Sequence, residues 1–254
     1  FNQSDVIGSL SPFHFDIYIL ELFVSLSQGS VMHIIPPKES TFPADLVNFL
    51  LINSVTFIFW VPTIMVNISN LDILDVIKLS KLKKVFFAGE VFPTKHLNYW
   101  RTKLPDAEFV NLYGPIEIAV DCTYYVVNRF FEDGESVPIG KPCRNTDVII
   151  LDSNNKSVKD GGQGELCVRG SSLSLGYFNN LDQTNKVFVQ NPLINSYPEK
   201  IYRTGDLVYK NTHGEIMFVG RKDFQIKHMG YRIELLEIEL AALSMHEVKN
   251  ACIL

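Results

Sequence analysis

Between about residue 13 and residue 127 the apolar positions alternate between helically spaced stretches and short continuous runs. Asp16 to Gln28 is strongly apolar and stops at Gly29, a residue suited to a left-handed cap, so it predicts a helix. Val31 to Ile35 predicts a strand closed by Pro36-Pro37; Pro43 opens a helix to about Leu51, and Val55 to Phe59 predicts a buried strand. Pro62 to Ser69 then predicts a helix, Lys84 to Ala88 a strand, Pro93 to about Lys103 a helix and Glu108 to Asn111 a strand. Strands separated by helices of this length argue for a parallel sheet with right-handed crossovers. In such open sheets ligands sit beyond the carboxyl ends of the strands. Trp60-Val61-Pro62, Gly89-Glu90 and Leu112-Tyr113-Gly114-Pro115 are therefore expected to converge on one crevice.

From about 136 to 219 the rhythm changes to short β-prone runs at 146–151, 165–169, 201–209 and 215–219, divided by turns such as Asp152-Ser153-Asn154-Asn155 and Asp160-Gly161-Gly162. This pattern predicts a small antiparallel barrel or distorted sheet. After Gly220-Arg221 comes a charged segment, then Glu234 to Ser244 as an amphipathic helix. The expected organisation is α/β: a parallel α/β sheet subdomain at 1–134, a small β-barrel-like subdomain at 135–221, and a hinge with the start of a C-terminal α+β domain at 222–254. Phe1 is no initiator Met, and Ala251-Cys252-Ile253-Leu254 looks like an interrupted strand, so both ends read as cuts.

Composition narrows the function classes. Of 254 residues, 46% are hydrophobic and 20% charged, which fits a soluble, cytoplasmic globular chain. A net charge of −5 supplies no basic stripe for phosphate neutralisation, so no nucleic-acid partner is expected. The short run Lys81, Lys83, Lys84 reads as a solvated helix end. No apolar run approaches the roughly 18–20 residues of a membrane span. Cys122, Cys143, Cys167 and Cys252 are widely spaced, which favours reduced thiols over a zinc site or a disulfide framework.

Four clusters carry candidate chemistry. In Asn111-Leu112-Tyr113-Gly114-Pro115-Ile116-Glu117, a Gly-Pro turn brings backbone N–H groups close to a ligand, Tyr113 offers a flat face for a nucleobase, and Glu117 suits a hard cation bridging phosphates. An ordinary strand-to-turn exit looks the same. Gly164-Glu165-Leu166-Cys167-Val168-Arg169-Gly170, with Gly176-Tyr177 behind it, is by itself a strand bounded by glycines. In Tyr202-Arg203-Thr204-Gly205-Asp206, a carboxylate at a Gly turn suits a ribose diol, although an Asp in a turn is common. In Gly220-Arg221-Lys222-Asp223-Phe224-Gln225-Ile226-Lys227 and Gly230-Tyr231-Arg232-Ile233-Glu234, Arg221 offers a planar fork for phosphate or ribose oxygens.

The order and spacing of these clusters resemble the adenylate-forming superfamily of acyl-CoA synthetases, luciferases and amino-acid adenylation domains. The motifs are N-x-Y-G-P-x-E, G-E-L-x-x-x-G, Y-R-T-G-D-L and G-R-x-D-x-Q-I-K-x-x-G-x-R-I-E-x-x-E-I-E. Within the superfamily the chain is most similar to peptide-synthetase adenylation domains and D-alanine–carrier protein ligases, as Phe57 to Thr63 and Phe86 to Val91 also suggest. The resemblance implies that Asn111 and Tyr113 contact adenine and that Gly89, Glu90 and Val91 line the same base. Leu112, Gly114, Pro115 and Ile116 would complete that nucleotide-binding segment. It implies Glu117 as the catalytic, magnesium-binding acid, Asp206 and Arg221 at the ribose with Phe218 nearby, and Asp223 as a hinge.

Substrate class rests on Asp16, which resembles the acid that pairs with a substrate α-ammonium; the alternative is a plain helix N-cap. Ile17, Leu20, Phe59, Phe86, Ala88, Leu112 and Val120 resemble pocket-lining positions and suit a small or aliphatic side chain, whereas Asp121 does not fit that picture. Three departures stand out. No Ser/Thr/Gly-rich phosphate loop ending in Lys-Gly is present, nor is the family's C-terminal catalytic Lys, and Ile116 replaces the usual Thr. The implied function is ATP- and Mg-dependent activation of an amino acid, followed by transfer to a carrier-protein phosphopantetheine, with this fragment alone inactive. An acyl-CoA synthetase and a non-catalytic member of the fold are the alternatives.

Overall fold

The computed structural model describes residues 1–159, 161–223, 225–228, 230–245 and 248–253, without the side chains of Leu236 and Leu240. Asp160, Phe224 and Leu254, named in the turn, motif and terminal run above, lie outside the described residues.

The first half builds β1 (Val6–Ser9), α1 (Asp16–Gln28), β2 (Val31–Ile34), α2 (Pro37–Ser40), α3 (Pro43–Ile52), β3 (Phe57–Trp60) and α4 (Pro62–Asn70). It continues through α5 (Ile73–Val76), β4 (Lys84–Ala88), α6 (Thr94–Lys103), β5 (Glu108–Tyr113), β6 (Thr123–Val126) and β7 (Lys141–Pro142). These strands form one seven-stranded sheet in the order β2-β1-β3-β4-β5-β6-β7. The first five are parallel, as the helix spacing predicts, and β6 and β7 run antiparallel along one edge. Gly29 caps α1 with φ +66°.

Strand alternation sorts side chains onto two faces, and helices cover both. Ile58, Trp60, Val85, Phe87 and Phe109 pack with α3, α4 and α6, where Trp100 is fully buried and donates from Nε1 to the Met65 carbonyl at 2.9 Å. Phe57, Phe59, Phe86, Ala88, Val110 and Leu112 face the other way, against Ile17, Leu20 and Val24 of α1.

One local expectation changes, and one alternative reading falls away. The lysine run is not a helix end: Lys83 and Lys84 donate their backbone N–H groups to the Thr56 carbonyl at 2.8 and 3.0 Å. The Lys84 ammonium then meets Asp5 at 2.6 Å, so the run leads into β4. Asp16 is not an N-cap, because Phe15 holds the extended cap position and Asp16 is the first helical residue.

The second half forms a five-stranded antiparallel sheet from β8 (Thr146–Leu151), β9 (Gly164–Gly170), β10 (Phe188–Gln190), β11 (Lys200–Lys210) and β12 (Ile216–Arg221). Helix α7 (Leu181–Val187) precedes β10. The hairpin β13 (Gln225–His228) and β14 (Tyr231–Glu234) follows, then α8 (Leu235–Leu243). No helix among the described residues is long and apolar enough to cross a membrane.

Candidate functional site

A cavity of about 590 Å³ opens where β3, β4 and β5 end. One residue or more from each expected segment lines it: Pro62, Gly89 with Glu90 and Val91, and Asn111 with Leu112 and Tyr113. Trp60 and Val61 instead pack into the two cores. The rest of the lining includes Asp206, Phe218 and Arg221 of the second sheet and Gln225, Ile226 and Lys227 of the hairpin.

Asp206 is placed by an irregularity in β11. The β11–β9 register shifts between Arg203 and Leu207, where Gly205 adopts φ +75°. Arg203 donates to Glu165 Oε2 through Nε at 2.9 Å and Nη2 at 2.6 Å, while the Gly205 N–H donates to Oε1 at 3.1 Å. Thr204 Oγ1 donates to the Leu166 carbonyl at 2.7 Å and accepts the Asp206 N–H at 3.0 Å. The conformation of Asp206 is thus fixed from behind, and its cross-strand partner is Arg221.

Arg221 Nη1 donates to Asp206 Oδ1 at 2.6 Å, and the Tyr113 hydroxyl donates to Oδ2. Burial pushes the Asp206 carboxyl above its ordinary range, and Arg221 and Tyr113 only partly offset this. Burial, with the Asp206 charge, also raises the Tyr113 phenol well above its usual value. Arg221 holds Asp223 as well, through Nε at 2.6 Å and Nη2 at 2.7 Å. A carboxylate and a guanidinium side by side on a cavity wall suit a vicinal diol, with the carboxylate accepting from both hydroxyls.

Other expected nucleotide residues are engaged by the chain itself. The Asn111 amide donates to the Pro138 carbonyl at 2.8 Å. Glu90 accepts the Thr63 N–H at 3.0 Å and its hydroxyl at 2.5 Å, near the N-terminus of α4, where a carboxylate is favoured. Gly114 does lack room for a Cβ, but what would fill the space is the Asp121 Cα and the Val120 carbonyl, both at 2.5 Å. Gly114, Pro115 and Ile116 do not line the cavity, and Ile116 points largely to solvent.

Glu117, on the 3₁₀ turn Ile116–Ile118, is only 3% exposed. Tyr177 donates its hydroxyl to Oε1, and Arg232 Nη1 lies 2.8 and 3.0 Å from the two oxygens. Burial alone would raise its pKa; Tyr177 and Arg232 outweigh that and hold it low. No cage of three or more His, Cys, Asp or Glu gathers among the described residues. A hard cation would therefore rest on this one carboxylate and on oxygens brought by a ligand, the usual habit of Mg²⁺. In the present arrangement Arg232 stands in that position.

The residues expected at the acid pocket do meet. Ile17, Leu20, Phe59, Phe86, Ala88, Leu112 and Val120 all belong to one apolar cluster under α1. Asp16 and Asp121 adjoin it in sequence, beside Ile17 and Val120. Asp16 accepts the Ile17 N–H at 2.9 Å, and burial raises its pKa. Asp121 follows two residues in the left-handed region, Ala119 (φ +57°) and Val120 (φ +73°), a costly backbone for side chains with a Cβ. Its Oδ2 is buried with no hydrogen-bond partner. Burial, with the Asp16 charge, raises its pKa far above the carboxylate range.

Six residues of the arrangement carried no assigned role in the sequence: Thr63, Glu165, Tyr177, Arg203, Lys227 and Arg232. All but Thr63 lie inside the motifs or next to them, so motif membership was the available signal; their partners, 27 to 115 positions away for the hydrogen bonds of Thr63, Tyr177, Arg203 and Arg232, were not.

Bacitracin synthase 1 of Bacillus licheniformis is 35% identical over 250 residues, which are 98% of this chain and 5% of that protein. The solved structure of holo-PA1221, an NRPS protein containing adenylation and PCP domains bound to a vinylsulfonamide inhibitor, matches with a TM-score of 0.90 at 26% identity, covering 100% of this chain and 44% of that one. The Vibrio cholerae adenylation domain AlmE in complex with glycyl-adenosine-5'-phosphate matches with a TM-score of 0.85 at 28% identity, covering 98% and 46%. The chain thus spans less than half the length of each of these relatives. The AMP-binding enzyme family matches residues 1–178, well over half of the sequence. Together with the α/β architecture and the motif order, this match settles the family: the chain belongs to the AMP-binding enzymes.

Proposed function

We propose that the polypeptide carrying this chain activates an amino acid with ATP as an aminoacyl-adenylate and passes the acyl group to the phosphopantetheine thiol of a carrier protein. The observation that carries this reading is the meeting of Tyr113, Asp206 and Arg221 on one cavity wall, next to the cluster rimmed by Asp16. Relatives support it: AlmE was solved with a glycyl-adenylate, and holo-PA1221 contains adenylation and PCP domains.

In this reading Asn111 and Tyr113 border the adenine with Gly89, Glu90 and Val91, Asp206 and Arg221 take the ribose hydroxyls, and Asp16 receives the substrate ammonium. A carboxylate oxygen of the amino acid attacks the α-phosphorus as the bond toward the β-phosphate breaks and pyrophosphate leaves. The carrier thiol then attacks the acyl carbon, forming a thioester and releasing AMP. The chain's contribution is positioning and preorganised charge. Magnesium arriving with the phosphates would be held by Glu117 and would neutralise phosphate charge. Asp223, bound to Arg221 at the start of the hairpin segment, is the hinge between the divisions ending at 221 and starting at 222.

Asp121 refines the substrate. Burial opposes ionisation of Asp121, yet its orphan oxygen still lacks a partner, so in this reading the bound substrate provides one. With Asp16 given to the α-ammonium, Asp121 calls for a side chain ending in a hydrogen-bond donor, and Phe59 and Phe86 keep that side chain short. ATP–pyrophosphate exchange by the full-length polypeptide, across amino acids and fatty acids, tests the function. Exchange with amino acids is expected; exchange with fatty acids alone would leave an acyl-CoA synthetase.

A further inference from the structure

Helix α1 carries Asp16, Ile17 and Leu20, three of the residues expected at the acid pocket, yet little of it is buried. Of its thirteen residues only Ile17 and Glu21 are fully enclosed. Ile17 rests on the apolar cluster with Leu20 and Val24, both partly exposed. Glu21, four residues after Ile17 and three before Val24, falls inside that same stripe. A carboxyl group is a costly occupant there, since a leucine would fill the place with no polar atom to satisfy. Burial pushes its pKa up to about 8, so near neutral pH it is mostly protonated and calls for no counter-ion.

Its partner is Ser9, at the carboxyl end of β1. The Ser9 hydroxyl donates to Glu21 Oε2 at 2.6 Å, with the two residues 1% and 0% exposed. Ser9 is itself fixed, because it stands opposite Ile34 of β2 and its carbonyl accepts the Ile35 N–H at 2.8 Å. Among the described residues this is the one hydrogen bond between α1 and a strand. Apolar burial is non-directional, so Ile17, Leu20 and Val24 hold α1 to the sheet without fixing its axial position or its roll. A hydrogen bond weakens steeply with distance and angle, and so supplies the fixed point.

Asp16 needs one. It is the first helical residue, five positions and about 7.5 Å of helix axis before Glu21. Among the described residues its side chain makes one hydrogen bond, to the N–H of its neighbour Ile17, which moves with it.

We infer that Glu21 is a positioning residue: through Ser9 it sets the place of α1, and with it the orientation in which Asp16 meets the substrate ammonium. Glu21 acts through Asp16 and not on the substrate. This inference rests on the proposed acid pocket and adds the residue that aligns it.

Calorimetry of the whole chain with three probes tests it: AMP, seryl-sulfamoyl-adenosine, and the hydroxypropanoyl analogue that lacks only the α-ammonium. Wild type is expected to bind the seryl compound about tenfold or more tightly than the deaminated one, the effect of one charged contact. Glu21→Leu, which fills the space and removes the bond, is expected to lose most of that preference while binding AMP within about twofold of wild type. Glu21→Gln keeps an acceptor for Ser9 and should restore the preference. Ser9→Ala breaks the bond from the other side and should cut the preference about as far as Glu21→Leu. Variants that melt earlier but keep the full ammonium preference would overturn the inference and leave the acid pocket standing; Ser9→Ala alone decides this if Glu21→Leu does not fold. A wild type without the preference would remove the acid pocket and the inference together. Failure of all three probes to bind would remove the nucleotide site as well.

Discussion

Glu21 of α1 shows how one buried group ties stability to pH. It is fully buried, accepts the Ser9 hydroxyl at 2.6 Å through Oε2, and leaves Oε1 without a partner. Burial pushes its pKa up to about 8, and the Ser9 hydrogen bond only partly offsets this. The folded chain thus holds a proton that the unfolded chain releases near its ordinary value of 4.5. Stability from this group is complete below the unfolded pKa and is lost as pH rises toward 8. Glu21→Gln keeps the acceptor and removes the titration. Melts at pH 5 and pH 8 should show wild type losing stability, by an amount on the order of 4 kcal/mol at most, while the variant changes far less. Equal pH dependence in both proteins would show Glu21 to be ionised in the fold. Among the described residues Asp121 is the other buried carboxyl with an orphan oxygen, and there the partner is expected from the ligand. In a calorimetric comparison of seryl-, diaminobutyryl- and alanyl-sulfamoyl-adenosine, a donor-tipped ligand should bind about tenfold more tightly than the alanyl one. Asp121→Ala should erase that preference. Tightest binding of the alanyl ligand to wild type would contradict the donor requirement.

At the scale of elements, legibility in the sequence follows periodicity. Helix α1 and strands β4 and β8 are found where their apolar runs and the turn residues bounding them place them. The hairpin β13–β14 is invisible to such reasoning, since Gln-Ile-Lys-His and Tyr-Arg-Ile-Glu mix exposed apolar and polar residues and bury no continuous face. Short pieces such as α5 and β10 escape for lack of length. The candidate site was legible as motifs, since Tyr113, Asp206 and Arg221 do meet. What holds them was not: Glu165 and Arg203 are 38 residues apart, and only the folded sheet places them together behind Gly205. Gly205 itself can be tested. A Cβ there would lie 2.8 Å from Arg221 Nη2 and 3.2 Å from Asp223 Oδ2, on a backbone at φ +75°. Gly205→Ala should therefore cost about 1–3 kcal/mol in denaturant unfolding and weaken AMP binding by shifting Arg221. Unchanged stability and unchanged binding would show that the bulge tolerates a side chain.

Across the whole molecule, two sheets of different construction share one site. The parallel sheet supplies the strand ends with Gly89 and Tyr113, and the antiparallel sheet supplies Asp206 and Arg221, which meet Tyr113 there. Neither sheet alone offers a complete wall, so a bound nucleotide should hold the two together. The most direct measurement is calorimetry of this chain with AMP, which requires no knowledge of the activated acid. One AMP should bind per chain, and Asp206→Ala, still folded by its melt, should weaken it by more than about tenfold. AMP that fails to bind, or binds the variant as well as wild type, would contradict a nucleotide held between Tyr113, Asp206 and Arg221.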